Sequence, residues 1–288
     1  MIYAICNPAA ASGRGRIIGE IIEKKLTEKK LPHRMAITER PGHATELARE
    51  ACDLRVDTVL SIGGDGTALE VARGMIGRES ALGIIPAGTG NDFVKSLGVP
   101  LQPAEALEYV LSHPAKKTDV GEINGQVFLN EIGTGFDVTV LDYAAKAKKI
   151  VRGIMPYLYG VIMTLFRFHS IALTYAVDGG EKTAMDAFVV SAANGGMIGG
   201  GIPIAPQAQV DDGKLDIAIV GSVRKSRLIS RLVGLMQGKI LSFPETKYYR
   251  AESVSFTVPD MRVNIDGEVV RKKTVTARVL PGALMIHR

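Results

Sequence analysis

Three glycines and one aspartate connect a strand-like segment to a helix-like segment at Gly63-Gly64-Asp65-Gly66-Thr67. The β-branched and apolar residues 56–60 predict a buried strand, and residues 68–72 predict the first turns of a helix. Glycines beside a helix N-terminus leave backbone N–H groups open to an anion, so this turn suits a phosphate. Asp65 would repel that phosphate unless a divalent cation lies between them. The alternative is a glycine-rich turn in which Asp65 caps the helix.

Strand-like and helix-like segments alternate from residue 1 to about residue 113. This alternation predicts βαβ units and a parallel sheet that helices cover on both faces. We predict strands at residues 2–6, 35–38, 56–62 and 82–85, and helices at residues 17–26, 42–52 and 103–111. In the first of these helices, five apolar residues are expected on one side: Ile17, Ile18, Ile21, Ile22 and Leu26.

Polar or glycine-rich residues stand at the ends of four of these strands, at residues 7–13, Thr38, residues 63–67 and residues 88–92. Ligands of parallel sheets bind at the carboxyl ends of the strands. We therefore expect the four segments to share one crevice.

The second half of the chain is β-rich and predicts a sandwich-like or barrel-like domain. Strands are predicted at residues 119–123, 126–132, 171–177, 187–192, 215–220, 254–258, 263–265, 274–279 and 284–287, with helical patches at 138–168 and 224–237. The chain is thus expected to form an α/β domain, residues 1–118, and a β-rich domain, residues 119–288, whose last strands are free to return to the first domain. A cleft between two domains is the usual place for a ligand.

Composition narrows the class of protein. The chain has 288 residues, of which 46% are hydrophobic and 23% charged, values typical of a globular protein. The net charge is +5, but no aromatic-rich basic stripe suggests nucleic acid as a partner. The two isolated cysteines, Cys6 and Cys52, fit a reducing cytosol. We see no signal peptide and no apolar run long enough to span a bilayer.

Several motifs together identify a family. The GGDGT residues 63–67 resemble a signature shared by the diacylglycerol kinase catalytic family, sphingoid-base kinases and NAD kinases. Residues 85–100 are similar to the PxGTxNDFxRxLGIP segment of bacterial lipid kinases, and residues 130–137 to their NxxGxGFD stretch. Residues 193–216 are similar to their NGxxxGGGxxxAPxAxxDDGxLD block, and residues 263–268 to their terminal DGE turn. The chain is identified as a member of the soluble bacterial lipid kinases of the diacylglycerol kinase type.

The resemblance implies a first domain like that of NAD kinases and phosphofructokinases, and an active site in the cleft between the domains. It also implies ATP- and Mg²⁺-dependent phosphorylation of a lipid hydroxyl, such as that of diacylglycerol, to give a phospholipid such as phosphatidate. The implied ATP site comprises Asn7, Pro8, Ala9, Ala10, Ala11, Ser12, Gly13, Thr38, Gly63, Gly64, Asp65, Gly66, Thr67, Ala68, Leu69, Glu70, Thr89 and Asn91.

By the same resemblance, Asp65 and Asp92 would hold the catalytic Mg²⁺, although Asp92 could instead be a helix N-cap. Asp266 would be the general base, and Glu268, two residues along the same strand, would assist it from the same face. The alternative for Asp266 is a plain Asp-Gly hairpin turn.

A structural Mg²⁺ is implied in the DDGxLD loop. Its ligands would be the Asp212 carboxylate and the main-chain carbonyls of Gln209 and Lys214, oxygen ligands of the kind that a hard cation prefers. The alternative is a polar turn before the strand that begins at Leu215.

One residue departs from the family pattern, because Leu69 stands where the family usually has asparagine. Glu70 is retained. The loss of an amide from a nucleotide site costs hydrogen bonds, so nucleotide contacts or acceptor preference are expected to differ. Two alternatives to a lipid kinase stay open: an NAD kinase, because of the shared GGDGT motif, and a non-catalytic protein that senses a nucleotide or a lipid, because of Leu69.

Residues 154–166 are strongly apolar and predict either core or a lipid-facing flap, and we favour core packing. Four basic residues precede them: Lys146, Lys148, Lys149 and Arg152. The expected partners are ATP and a lipid substrate at the membrane surface, without nucleic acid. We expect a cytoplasmic protein that transiently contacts the inner face of the membrane, and a homodimer is left open.

Overall fold

The computed structural model describes residues 1–147, 155–260, 262–272 and 274–288. The chain forms two compact units, Met1–Val120 with Pro281–Arg288, and Gly121–Leu280. The domain boundary that the sequence predicts between residues 118 and 119 stays a prediction, because compactness does not measure independent folding.

In the first unit, strands and helices alternate. Its elements are β1 (Ile2–Cys6), α1 (Arg14–Glu28), β2 (His33–Ile37), α2 (His43–Asp53), β3 (Thr58–Gly63), α3 (Asp65–Met75), β4 (Ala81–Pro86), α4 (Asp92–Ser96) and α5 (Pro103–Ser112). Strands β4, β3, β1 and β2 lie side by side in that order and pair in parallel. Met285 and Ile286 add a further parallel segment beside β4. The predicted parallel sheet is confirmed.

Helix α1 buries only part of the apolar side that the sequence predicts. Ile17 and Ile21 are 57% and 44% exposed and do not contribute to the core. The buried side consists of Gly15, Ile18, Gly19, Ile22 and Leu26. A Cβ on Gly19 would lie 2.7 Å from the Cys6 Sγ, so the bare glycine is what lets the helix pack closely on β1.

The second unit is built mainly from antiparallel strands. Its elements are β5 (Ala115–Ile123), which begins in the first unit, β6 (Gln126–Phe128), β7 (Glu131–Gly135), α6 (Phe136–Ala147), α7 (Met155–Arg167), β8 (Ile171–Val177), β9 (Thr183–Ala193), β10 (Met197–Ile198), β11 (Ile202–Pro203), β12 (Leu215–Gly221), α8 (Leu228–Met236), β13 (Thr246–Ala251), β14 (Ser253–Thr257), β15 (Arg262–Ile265), β16 (Glu268–Arg271) and β17 (Val275–His287).

In this unit, the strand order is β16-β15-β7-β9-β8-β14-β17, and β12 pairs with both β9 and β13. One apolar cluster includes Phe128, Leu173 and Phe256, and a second includes Phe136, Ala218 and Phe243. The predicted β-rich second half is confirmed.

Several predicted elements have different bounds in the structure. The strand expected over 126–132 is interrupted after Phe128, because the backbone N–H groups of the next residues bond to a side chain instead of a neighbouring strand. The two last predicted strands are the single strand β17, and β13 and β16 were missed. The helical patch 138–168 corresponds to α6 and α7, and Lys148, Lys149, Arg152 and Ile154 lie outside the described residues.

Within the described ranges, none of the helices has both the length and the apolar composition needed to cross a membrane.

Candidate functional site

The loops that follow β1, β3 and β4 contact one another at the carboxyl edge of the parallel sheet. The Asn7 Nδ2 donates a hydrogen bond to the Thr67 Oγ1 at 3.0 Å, which joins the first loop to the second. A Cβ on Gly88 would lie 2.5 Å from the Gly64 Cα, so the backbones of the second and third loops approach each other closely at these two glycines. The structure therefore brings residues 7–13, 63–67 and 88–92 together.

The loop after β1 has a strained backbone. Ala11 and Ser12 have φ angles of 49° and 60°, in the left-handed region that residues other than glycine rarely adopt. The Asn7 Oδ1 accepts a hydrogen bond from the Ala9 N–H at 3.0 Å and fixes the start of the loop. Such strain is found where a ligand-binding conformation is required, so this loop is a candidate phosphate contact.

Asp65 bonds to the third loop and does not cap its own helix. Helix α3 begins without a side-chain cap, whereas the Asp65 Oδ1 accepts a hydrogen bond from the Phe93 N–H at 3.2 Å, in the first turn of α4. Burial raises the pKa of Asp65, and the charge of Asp92 raises it further, while backbone N–H groups near the start of α4 lower it. The two carboxylates are therefore neighbours.

The space beside these two carboxylates fits Mg²⁺. A Cβ on Gly90 would lie 3.0 Å from the Asp65 Oδ2 and 3.4 Å from the Asp92 Oδ2, so the glycine leaves room between two hard oxygen donors. Lys95 places its Nζ 3.5 Å from the Asp92 Oδ1. In the described part of the chain, no group of three or more His, Cys, Asp or Glu side chains is arranged to hold a metal. A magnesium ion here would complete its coordination with phosphate and water.

The remaining residues of the implied ATP site have varied surroundings. The Asn91 amide closes the third loop through two hydrogen bonds of 3.0 Å to the Gly88 backbone. Thr89 and Gly66 are exposed, and Thr38 is half-buried directly after β2. Asn91 is the N-cap residue of α4 and Asp92 follows it, so the alternative of Asp92 as the N-cap is wrong.

Leu69 and Glu70 both face the protein interior in α3. Leu69 is only 5% exposed and belongs to the apolar core of the first unit. The Glu70 Oε2 accepts a hydrogen bond from the Ala44 N–H at 3.3 Å, and the Glu70 carbonyl accepts one from the Thr45 hydroxyl at 2.7 Å. Glu70 thus anchors the start of α2 against α3.

In the second unit, Asp266 lies in the turn between β15 and β16. Its carboxylate accepts hydrogen bonds from the backbone N–H groups of Leu129, Asn130 and Glu131, at 2.7, 2.9 and 2.9 Å. Its own N–H donates to the Glu131 carbonyl at 3.0 Å. These contacts fix the orientation of the Asp266 carboxylate.

The predicted geometry of Glu268 is wrong. Asp266 has a φ angle of 46° and Gly267 of 91°, so the two residues form a tight turn that reverses the chain. Glu268 is the first residue of β16, is exposed, and pairs with Ile265 across the hairpin. Asp266 and Glu268 are therefore not on one strand, and the hairpin-turn interpretation of the local backbone is correct.

A buried polar network lies beside this turn, and the sequence reasoning did not single it out. The Asn264 Oδ1 accepts a hydrogen bond from the Gly267 N–H at 2.8 Å. The Asn264 Nδ2 donates to the Glu131 Oε1 and the Asp137 Oδ2, each at 3.2 Å. The Ser191 hydroxyl also donates to Glu131. The sequence signal that could have revealed this network is the presence of polar residues at inward-facing positions of otherwise apolar strands.

Burial raises the pKa of Asp137 in this network to about 6, and its hydrogen bonds to the Val138 N–H and Asn264 oppose that rise. Glu131, Ser191 and Asn264 are buried as well. Because unpaired buried polar groups are costly, this network holds the Asp266 turn in a single arrangement.

The DDGxLD loop is arranged around a guanidinium group. The Asp212 Oδ1 accepts a hydrogen bond from the Lys214 N–H at 3.0 Å, and the Asp212 Oδ2 pairs with Arg250. The Arg250 Nε also lies 3.7 Å from the Asp216 Oδ1. A cation ligated by Asp212 would compete with Arg250 for that carboxylate. The structural Mg²⁺, with Asp212, Gln209 and Lys214 as its ligands, stays a prediction.

Two family models cover nearly the whole chain. The model described as the diacylglycerol kinase catalytic domain matches residues 1–123, and the one described as the YegS C-terminal NAD kinase beta sandwich-like domain matches residues 130–288.

Curated relatives carry the name "Probable lipid kinase YegS-like". The protein of that name from Pseudomonas aeruginosa is 33% identical over 256 residues, which are 87% of this chain and 83% of that protein. The one from Chromohalobacter salexigens is 29% identical over 283 residues, 96% of this chain and 90% of that protein.

Solved structures confirm the fold class. A crystal structure titled as a diacylglycerol kinase from Bacillus anthracis matches with a TM-score of 0.82 and 28% identity, covering 99% of this chain and 96% of that one. An NAD kinase from Archaeoglobus fulgidus in complex with ATP matches with a TM-score of 0.57 and 16% identity, covering 100% and 94%, which shows a shared fold alone.

Proposed function

This chain belongs to the YegS-like family with a diacylglycerol kinase catalytic domain, and from that premise we propose that it is a lipid kinase. It transfers the γ-phosphate of ATP to a lipid hydroxyl, with diacylglycerol as the candidate acceptor and phosphatidate as the product. The observation that supports this proposal most is that three strand-end loops, two of which contact each other through glycines, come together beside the Asp65 and Asp92 carboxylates.

In this proposal the first unit binds the nucleotide. The strained loop after β1 and the glycines of residues 63–67 present backbone to the phosphates, because no side chain blocks their approach. Asp65 and Asp92 would hold Mg²⁺. A bound Mg²⁺ neutralises charge on the phosphate oxygens during transfer. Leu69 contributes packing at a position where the family pattern supplies an amide.

The second unit supplies the base. Asp266 accepts the proton of the lipid hydroxyl while the hydroxyl oxygen forms a bond to the γ-phosphorus and the bond to the leaving ADP oxygen breaks. The three backbone N–H groups that bind the Asp266 carboxylate orient it without a contribution from Glu268. Phosphoryl transfer needs such positioning more than covalent chemistry.

The test is transfer of labelled γ-phosphate from Mg-ATP to diacylglycerol, phosphatidylglycerol and a long-chain base in mixed micelles, with NAD in parallel. We expect a labelled chloroform-soluble product with wild type and a loss of about 10²-fold or more with Asp266→Asn. The matched control is Asp53→Asn, which changes an exposed carboxylate paired with Arg78 and should leave the rate unchanged.

Three results would contradict the proposal. An undiminished lipid phosphorylation rate in folded Asp266→Asn would remove Asp266 as the base. Label in NAD alone would establish an NAD kinase. ATP binding without label in any acceptor would establish a non-catalytic sensor.

A further inference from the structure

Helix α7 packs through its smallest residues and exposes its largest. Its buried residues are Pro156, Gly160 and Thr164. A Cβ on Gly160 would lie 2.5 Å from the Val140 carbonyl oxygen, so α7 lies directly against α6. The exposed large residues, led by Phe166 at 78%, are Met155, Leu158, Tyr159, Ile162 and Phe166. The core interpretation is therefore wrong for these five residues.

This arrangement is the reverse of an ordinary surface helix. A surface helix normally buries its large apolar residues and exposes charged ones. The five exposed residues of α7 are apolar or aromatic and recur at helical spacing, so they form a continuous stripe. A contiguous exposed apolar stripe marks an interaction surface.

Helix α8 carries a second exposed apolar stripe with basic neighbours. Leu228 and Gly234 are buried, whereas the exposed side consists of Ile229, at 71%, Val233 and Met236. Arg224, Lys225, Arg227 and Lys239 are exposed beside it. The sequence contains no acidic residue between Asp216 and Glu245, so the segment has a positive charge.

The two helices cover the same apolar cluster of the second unit. Val161 and Leu165 of α7 and Leu235 of α8 pack against a cluster that contains Val189 of β9 and Ala218 of β12. Both helices therefore cover one apolar cluster with their inner sides and carry their exposed stripes on the opposite sides.

We propose that α7 and α8 form a docking surface for an anionic lipid bilayer. Phe166, Ile229 and their neighbours enter the interface between headgroups and acyl chains, and Arg224 and Lys225 bind anionic headgroups. The inference rests on the proposed lipid substrate, which resides in a bilayer. Arg231 and Arg227 are not counted among the headgroup ligands, because their guanidinium groups already pair with Glu245, at 3.0 and 3.9 Å.

The charge pattern favours a bilayer over a second copy of the chain. In a two-fold dimer the same patch meets itself, so the basic residues beside α8 would approach their own copies. An anionic surface instead neutralises them. Both helices also have the amphipathic character of segments that lie in an interface.

Vesicle co-sedimentation without ATP tests the surface separately from catalysis. The intact protein is mixed with vesicles of pure phosphatidylcholine, or of an equimolar mixture with phosphatidylglycerol. We expect sedimentation with the anionic vesicles, weakened about tenfold or more by Phe166→Ser or Ile229→Ser, since each loses a large apolar side chain from the interface. The matched control, Leu54→Ser in the first unit, removes a side chain that is 51% exposed and should bind as wild type does.

Substitution of the basic residues beside α8 tests the docking surface independently of its apolar residues. Arg224→Gln and Lys225→Gln should each weaken binding to anionic vesicles about fivefold. Each basic residue near such a surface contributes a binding free energy that corresponds to this change in affinity. The control Lys182→Gln removes an exposed charge from the β8–β9 turn and should have no effect.

Three results would overturn the docking surface: wild type that stays in solution with anionic vesicles, unweakened binding of Phe166→Ser and Ile229→Ser, or a solution dimer that these substitutions dissociate. Phosphorylation of a lipid in detergent micelles by the same variants reports on the kinase proposal alone. Loss of vesicle binding with micellar activity retained therefore separates the two inferences.

Discussion

Replacing Asn264 by leucine removes three hydrogen bonds from the turn that carries Asp266 while keeping the branched shape of the side chain. The lost partners are the Gly267 N–H and the carboxylates of Glu131 and Asp137. Gly267 is exposed, so water can replace the amide at its N–H. Glu131 is buried, and burial raises the pKa of the half-buried Asp137, so each carboxylate loses its bond to the amide with little solvent in exchange.

A buried group that loses its hydrogen-bond partner costs about 1–3 kcal/mol. For the two carboxylates together we expect Asn264→Leu to lower the free energy of unfolding by about 2–6 kcal/mol. That is a large part of the roughly 5–15 kcal/mol by which proteins are stable. Urea unfolding followed by circular dichroism measures it as a shift in midpoint at constant slope.

The control is Ser222→Ala, which removes the single exposed hydrogen bond to Ser170 and should cost less than about 0.5 kcal/mol. A second variant, Asn264→Asp, places a third carboxyl group against Glu131 and Asp137. When protonated it can still donate one hydrogen bond, so its loss of stability should be larger at about pH 8 than at about pH 5. A cost for Asn264→Leu no larger than that of Ser222→Ala would refute the reasoning.

Two further predictions concern single residues of the two units. The pKa of Asp137 is raised from 3.8 to about 6 in the folded protein. Between these two pH values the folded state binds more protons than the unfolded state. The free energy of unfolding should therefore fall as the pH rises from about 4 to about 6 and then level off. Asp137→Asn should flatten this slope in urea unfolding at several pH values, and an unchanged slope would assign it to another group. Gly88→Ala places a Cβ 2.5 Å from the Gly64 Cα and forces the two loops apart, so calorimetry should show ATP affinity reduced about tenfold or more, together with an overpacking cost of about 1–3 kcal/mol in stability. Gly77→Ala adds a methyl group in open space but strains a backbone whose φ is 70°, so it controls for stability lost away from the two loops. Unchanged ATP affinity in Gly88→Ala would exclude the contact from the nucleotide site.

The sequence was sufficient to predict the arrangement of the strand-end loops. Parallel pairing places the carboxyl ends of β1, β3 and β4 at one edge, so alternating patterns and glycine positions are enough to bring residues 7–13, 63–67 and 88–92 together. These are consequences of local pattern and sheet geometry.

Contacts between distant segments could not be predicted in the same way. The bond from Phe93 to Asp65 depends on how α4 sits against α3, and no local pattern encodes it. Glu268 was misplaced because two left-handed residues, Asp266 and Gly267, turn a continuous strand into a hairpin. In α7 the small residues face inward, so a hydrophobicity pattern alone selects the wrong side.

The last strand has a consequence for how the protein is made. Met285 and Ile286 pair with β4, and the Gly282 N–H donates to Asp119 across a sequence separation of 163 residues. While the ribosome is still synthesising the second unit, the first unit has β1 to β4 but lacks this neighbouring segment. Its sheet is completed only after residues 281–287 leave the exit tunnel, so closure of the first unit follows synthesis of the second and has a high contact order.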